Sequence, residues 1–147
     1  MTVLYGSVSD VAALAGTYTT GGVFSTTTTP TLVQVTAWLT DVSDLMDLAL
    51  AQHRFVIPID TEIENYAKIT NILSNVVVPL VADLCHAANS SGRFFTQKAI
   101  EFGLSPMKVI TKDINTWVES NADGLVALGL TITPQESQSN QLFVQVR

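Results

Sequence analysis

Apolar side chains recur at three- and four-residue spacing through most of this chain, which predicts amphipathic helices separated by short polar breaks. The clearest runs from Thr31 to His53. Val35, Trp38, Leu39, Val42, Leu45, Met46, Ala49 and Leu50 form its apolar stripe, and Thr36, Thr40, Ser43 and Asp47 form the opposite, polar face. Thr31 with Gln34, directly after Pro30, has the capping-box spacing that starts a helix. Thr61 with Glu64 repeats that spacing ahead of a second stripe, Ile63, Tyr66, Ile69, Leu73, Val76, Leu80 and Leu84. This stripe passes through Pro79. An internal proline removes one backbone hydrogen bond and costs roughly 3 kcal/mol, so burial of the helix has to offset it. The pattern therefore predicts a kinked central helix around which the others pack.

Shorter elements flank these two. Residues 7–15 read as a helix with Ser7 as N-cap, Asp10 in the first turn where the dipole favours a carboxylate, and Gly16 as the stop. Its Val8, Val11, Ala12 and Leu14 are expected to cover the rest of the core. Asn89 to Gly92 ends the central helix and caps the next, Arg93 to Phe102, which Gly103 closes. Ser105-Pro106 opens another, carried by Met107, Ile110, Ile114, Trp117 and Val118. Asn121 to Gly124 is expected to interrupt it before Leu125 to Leu130 resumes. Thr17 to Thr29, rich in Thr, Ser and Gly, predicts a long loop or weak hairpin turning at Gly21-Gly22. Loops of that length are usually functional or mobile, and a plain connector is the equal alternative. Arg54 to Asp60 reads as an extended segment pinned by Phe55 and Ile57 and ended by Pro58. Pro30, Pro58, Pro106 and Pro134 fall at element boundaries, and Pro79 alone falls inside one.

Beyond Pro134 the pattern changes. Gln135 to Gln141 has nothing to bury, whereas Leu142, Val144 and Val146 alternate in strand fashion through LFVQVR. With no strand partner elsewhere in the pattern, this segment reads as an arm for another subunit or protein, by strand addition. The fold expected is all-α: a small bundle of about five helices with a kinked central helix and a long Thr-rich loop in residues 1–133, followed by an extended arm in residues 134–147.

Composition narrows the function classes. A chain of 147 residues buries about 68–70% of its unfolded surface and needs no staples. Apolar residues make up 47% and charged residues only 14%, which suggests that part of the surface serves partners. The net charge of -6 and the scattered basic residues indicate neither a nucleic-acid grip nor an anionic-membrane patch. A single cysteine, Cys85, fits a reducing compartment. Met1 to Leu4 carries no signal-peptide pattern. The most apolar window, Ile72 to Ala88, is interrupted by Asn75, Pro79, Asp83 and His86, so a soluble, cytoplasmically made protein is expected.

Candidate chemistry is sparse. No phosphate loop, dinucleotide fingerprint, nucleophile elbow or zinc spacing is present. Asp41, Asp44 and Asp47 recur every three residues, but helical spacing spreads them, so a solvated face is favoured over cation binding. Asp83, Cys85 and His86 are the one tempting cluster. Adjacent residues on a helix point about 100° apart, so Cys85 and His86 do not converge as a nucleophile pair. Asp83 and His86 could share a face, but two ligands make a poor metal site and His53 is distant. Structural roles are favoured: Cys85 as a small buried group, His86 as a partly buried hydrogen-bonding residue near Asn89, and Asp83 paired with Arg93 across the Asn89 to Gly92 turn. No enzyme activity, metal or cofactor is expected.

Taken together, YGSVSDVAALAGTYT, PTLVQVTAWLTDVSDLMDLALAQHRFVIP, ADLCHAANSSGRFF and INTWVESNADGLVALG resemble the head-to-tail connector (adaptor, neck) proteins of tailed bacteriophages, over most of the chain to about Gly129. The resemblance implies a mostly helical virion protein, made in the host bacterial cytoplasm. Its copies would form a ring, dodecameric in the virion, that joins the portal to the tail and extends the DNA channel. Its partners would be further copies of itself, the portal protein and a downstream stopper or tail-completion protein, with DNA passing through without specific binding. The interface candidates are Thr19, Val23 and Phe24 on the Thr-rich loop, and Leu142, Phe143, Val144, Val146 and Arg147 on the arm. Two alternatives stay open: a stopper or tail-completion protein of the same neck, and a non-viral small helical binding module.

Overall fold

Ser7 and Thr31 each begin a helix through a reciprocal cap. The Ser7 hydroxyl accepts from the Asp10 amide while the Asp10 carboxylate accepts from the Ser7 amide, at 3.2 and 2.8 Å. Thr31 and Gln34 exchange the same pair of bonds, at 3.3 and 3.0 Å. The computed structural model describes residues 3–89 and 106–134. Among the described residues the protein is all-α, with four helices, α1 (Val8–Leu14), α2 (Leu32–Gln52), α3 (Tyr66–Asn89) and α4 (Pro106–Ala127), a 3-10 turn at Gly16–Tyr18, and no strand. The helix expected over Arg93 to Phe102, the proposed partner Arg93 and the arm beyond Pro134 lie outside the described residues.

The centre of the bundle is the contact of α2 with α3, and α1 and α4 each pack against both. Leu39, Val42 and Met46 of α2, Ile69, Leu73, Val77 and Val81 of α3, and Ile110, Ile114 and Val118 of α4 are sealed from water in one cluster. On α3 the buried set after residue 73 is Val77, Val78, Val81, Leu84 and Cys85, while the expected Val76 and Leu80 are half-buried. A helix wedged between three others buries a wider arc than a single stripe. α3 runs through Pro79 without a break. Pro79 itself is exposed, so the cost of the proline is offset by the burial of its neighbours. By length and composition α3 is also apolar enough to cross a membrane. Its buried face packs on the other three helices, and its outer face carries Asn71, Ser74, Asn75 and His86, as suits the core helix of a bundle.

Helix ends explain two departures from the expected pattern. α3 starts at Tyr66, not at a Thr61 cap: the Asp60 carboxylate takes the Glu62 amide at 2.9 Å, so the chain first makes a turn. α4 continues through Asn121 to Gly124, where a break was expected, because Leu125 and Leu130 are both buried and reward the extra turns. It then ends in a Schellman motif. The Leu130 amide reaches the Leu125 carbonyl at 3.1 Å, the Gly129 amide reaches Val126 at 2.9 Å, and Gly129 supplies the positive φ of 106°. α2 closes with the same pair of bonds around Arg54, the non-glycine residue at positive φ among those described.

These two helix ends meet. Val56 donates to the Thr131 carbonyl at 2.9 Å and Thr133 donates to Arg54 at 2.7 Å, which sets Phe55 opposite Ile132 in an isolated antiparallel bridge. Of the segment Arg54 to Asp60 expected to be extended, Arg54 instead closes α2 at positive φ; the bridge forms at Phe55, which is buried as expected, and the residues that pair with it were not foreseen. In α1, Val11 and Ala12 are buried whereas Leu14, expected in the core, is 60% exposed.

Candidate functional site

The segment before α1 lies across the bundle and is anchored on the polar side of α2. The Tyr5 amide donates to the Ser43 hydroxyl at 3.1 Å and the Tyr5 hydroxyl to Asp47 at 2.5 Å. Ser43 is therefore fully buried and Asp47 half-buried, where the helical pattern places both on the polar face. Burial raises the pKa of the Tyr5 phenol well above its ordinary value, and the Asp47 carboxylate beside it adds to the shift. Burial likewise raises Asp47, against the opposing pull of the Tyr5 hydrogen bond and with a further push from Asp44. This pair has the character of a structural clasp: a proton shuttle needs access to a reacting group, and Tyr5 is 2% exposed.

Beside this segment, a chain of three open depressions follows the outer face of α3. The first, about 440 Å³, is bounded by Val3 and Leu4 and floored by Ala67, Thr70, Asn71 and Ser74. The second, about 490 Å³, lies between Ala13 and Leu14 of α1 and Asn71, Ser74, Asn75 and Val78. The third, about 390 Å³, lies between Leu14, Tyr18 and the set Pro79, Ala82, Asp83 and His86. Each floor is a diamond of residues i, i+3, i+4 and i+7, the hole into which a partner's side chain fits when helices interlock. The walls add exposed apolar surface: Val3 is 38%, Leu4 44% and Leu14 60% exposed. The floors are mixed, with Asp10 beside Asn71, Ser74 and Asn75 in the second depression and Asp83 with His86 in the third, so the apolar character of the groove lies in its walls.

The Asp83, Cys85 and His86 cluster separates on inspection. Cys85 is fully buried and its thiol is pushed up to about 11 by that burial, which leaves it inert. His86 is exposed, not partly buried as expected, and its Nδ1 meets the Tyr18 hydroxyl with the two rings edge to face at 5.7 Å. Asn89 donates to the Cys85 carbonyl at 2.9 Å and to the Thr29 carbonyl at 2.7 Å. Asp83 is half-buried at the edge of the third depression. Among the described residues no group of three or more His, Cys, Asp or Glu side chains is placed to hold a metal ion.

The Thr-rich loop is held rather than floppy. Thr28 is buried, accepting from the Ser25 amide at 2.9 Å and donating to the Pro30 carbonyl at 2.8 Å, and the Asn89 bond ties Thr29 to α3. Phe24, expected as a contact residue, is 1% exposed and belongs to the core, because the loop needs an apolar anchor to lie on the bundle. What projects is the tip. Thr20 and Val23 pair around Gly21-Gly22, with Val23 61% exposed and Thr19 half-buried at its base.

Two further apolar side chains are exposed on α2, at either end of a face that carries two carboxylates. Its outward positions run Val33, Ala37, Asp41, Asp44 and Leu48, with Val33 73% and Leu48 51% exposed. The sequence pattern missed both surfaces because it scores the stripe that faces the core, and an outward Val or Leu leaves no periodic mark. Comparison with protein-family models, with curated proteins and with solved structures finds no match for this chain.

Proposed function

We propose that this protein is a non-enzymatic structural subunit of a phage neck, a connector whose copies form a ring between portal and tail. The observation that carries the reading is that apolar side chains stay exposed in two separate places on one small subunit, Val33 and Leu48 on the outer face of α2 and Val3, Leu4 and Leu14 around the groove beside α3. A closed ring is built from heterologous contacts, in which one patch of each copy meets a different patch of the next, so two distinct patches are what it requires. The resemblance of the sequence to head-to-tail connectors supports the same reading. So do the net charge of -6 and the scattered basic residues, which suit a channel that lets DNA slide past without gripping phosphates.

In this reading the loop tip at Val23 and the residues from Leu142 to Arg147 are the elements that reach portal or neighbour. The test is sedimentation of the full chain with a purified portal ring: co-sedimentation supports the connector, and a chain that stays in the supernatant at saturating portal argues against it. The open groove also favours a second reading, a small helical module that binds an apolar peptide segment. A chain that binds such a peptide but ignores portal would favour that reading.

A further inference from the structure

We propose that the second depression, between α1 and the outer face of α3, is a recess for the guanidinium of an arginine side chain presented by a partner protein, with the Asp10 carboxylate and the Asn75 carbonyl as its acceptors. Three observations support this. The first is an acceptor created by the proline. Pro79 has no amide hydrogen, so the Asn75 carbonyl lacks its helical donor, and both residues are exposed and line the depression. A backbone carbonyl so placed keeps its lone pairs for water or for a donor brought by another molecule.

The second is charge. Asp10 is exposed and lines the same depression. Its Oδ2 accepts from the Ser7 amide and hydroxyl, each at 2.8 Å, and its other oxygen retains acceptor sites of its own. A methyl carbon placed on Gly6 would lie 3.7 Å from Asp10 Oδ2 and 3.9 Å from the Ser74 β-carbon, so carboxylate and floor share one recess. The described residues that line it include no basic side chain, and the net charge of -6 favours a cationic visitor. The third is shape. The acceptors sit on two helices rather than around one point, and Ala13 with the exposed Leu14 supplies an apolar wall. A guanidinium offers five donors in a planar fork, is weakly hydrated, and carries an aliphatic stem that packs along such a wall, whereas a lysine ammonium is a strongly hydrated point charge. The recess does not depend on the ring: a connector or a peptide-binding module would both use it to select a surface that presents an arginine.

The test is an amide NMR titration of the isotope-labelled full chain with Nα-acetyl-arginine methylamide. The expected result is binding with a Kd in the millimolar range, as a single exposed charged contact gives, with the moving amides grouped at Asp10, Asn71, Ser74 and Asn75. The norleucine analogue, which has the stem without the charge, should leave those amides in place, and the lysine analogue should bind about threefold more weakly or worse. Asp10→Asn keeps an oxygen for the Ser7 cap and removes the charge, and Pro79→Ala gives the Asn75 carbonyl its donor back. Each should raise the Kd about two- to fivefold. Pro79→Ala guards the test against a folding artefact, since it restores a regular helix. Absence of shifts at the floor, equal shifts with the norleucine analogue, equal binding of the lysine analogue, or a Kd unchanged in either variant would overturn the proposal. The sedimentation result with portal is read separately and is unaffected by this outcome.

Discussion

The hydroxyl of Tyr5 donates to the carboxylate of Asp47 at 2.5 Å, joining the segment before α1 to the middle of α2 across 42 positions of sequence. With the Tyr5 amide on Ser43, this clasp holds the N-terminal segment against the bundle and so forms the wall at the first depression. Tyr5→Phe should cost about 1–2 kcal/mol, since it removes a hydrogen bond to a charged group. Asp47→Asn keeps an acceptor and should cost less than about 1 kcal/mol at neutral pH. Urea unfolding of both variants checks this, and a Tyr5→Phe protein as stable as the parent would show the clasp to be idle.

The same pair sets a pH dependence. Burial holds the Asp47 pKa above its ordinary value, so the folded state keeps that proton more tightly than the unfolded chain. Its contribution is therefore fully present below about pH 3.9 and is lost as pH rises through the raised value. Tyr5 acts in the same sense at the alkaline end, where stability should fall above about pH 10 as the unfolded phenol ionises and the buried one does not. Urea midpoints measured from pH 4 to 11 should show a flatter acid limb for Asp47→Asn and a weaker alkaline decline for Tyr5→Phe. Profiles parallel to the parent in both variants would contradict the assignment.

Pro79 is exposed inside α3, so its ring contributes little packing while its missing amide leaves the Asn75 carbonyl without its helical donor. Pro79→Ala should therefore stabilise the protein by about 1–2 kcal/mol, less than the full helix-propensity difference because the unfolded chain gains freedom. A thermal melt decides the sign. Destabilisation would mean that the proline shapes α3 in a way the core depends on.

Gly6 sits at φ 108°, and a methyl group there would overlap the γ-methyl of Val78, a buried residue of α3. Gly6→Ala should cost about 2–4 kcal/mol, combining backbone strain with displacement of a core side chain. Gly21→Ala, at φ 61° with open space around it, is the matched control and should cost only about 1 kcal/mol. Equal costs at the two sites would argue against the close approach of the N-terminal segment to α3.

Local signals were legible where the chain's own neighbours decide the outcome. Ser7 with Asp10 and Thr31 with Gln34 cap helices at the expected residues, and Phe55 is buried as expected. Contacts distant in sequence decided the rest. Ser43 and Asp47 look solvated until Tyr5 arrives from 38 and 42 residues away. Asn121 to Gly124 looks like a break until burial of Leu125 and Leu130 favours a longer helix. Thr61 looks like a cap until Asp60 takes the Glu62 amide. The groove was hidden for a related reason. Ala67, Asn71, Asn75 and Pro79 read as the indifferent outer side of a core helix, and only α1 and the N-terminal segment beside them turn that side into a row of holes.

The ring is the central claim, and native mass spectrometry of the full chain with and without portal tests it most directly. The account predicts a single closed oligomer of defined copy number on or with the portal, carrying α2 outer-face residues at its subunit contacts, so that Leu48→Arg disperses it. A chain that stays monomeric with portal present, unchanged by Leu48→Arg, would contradict it.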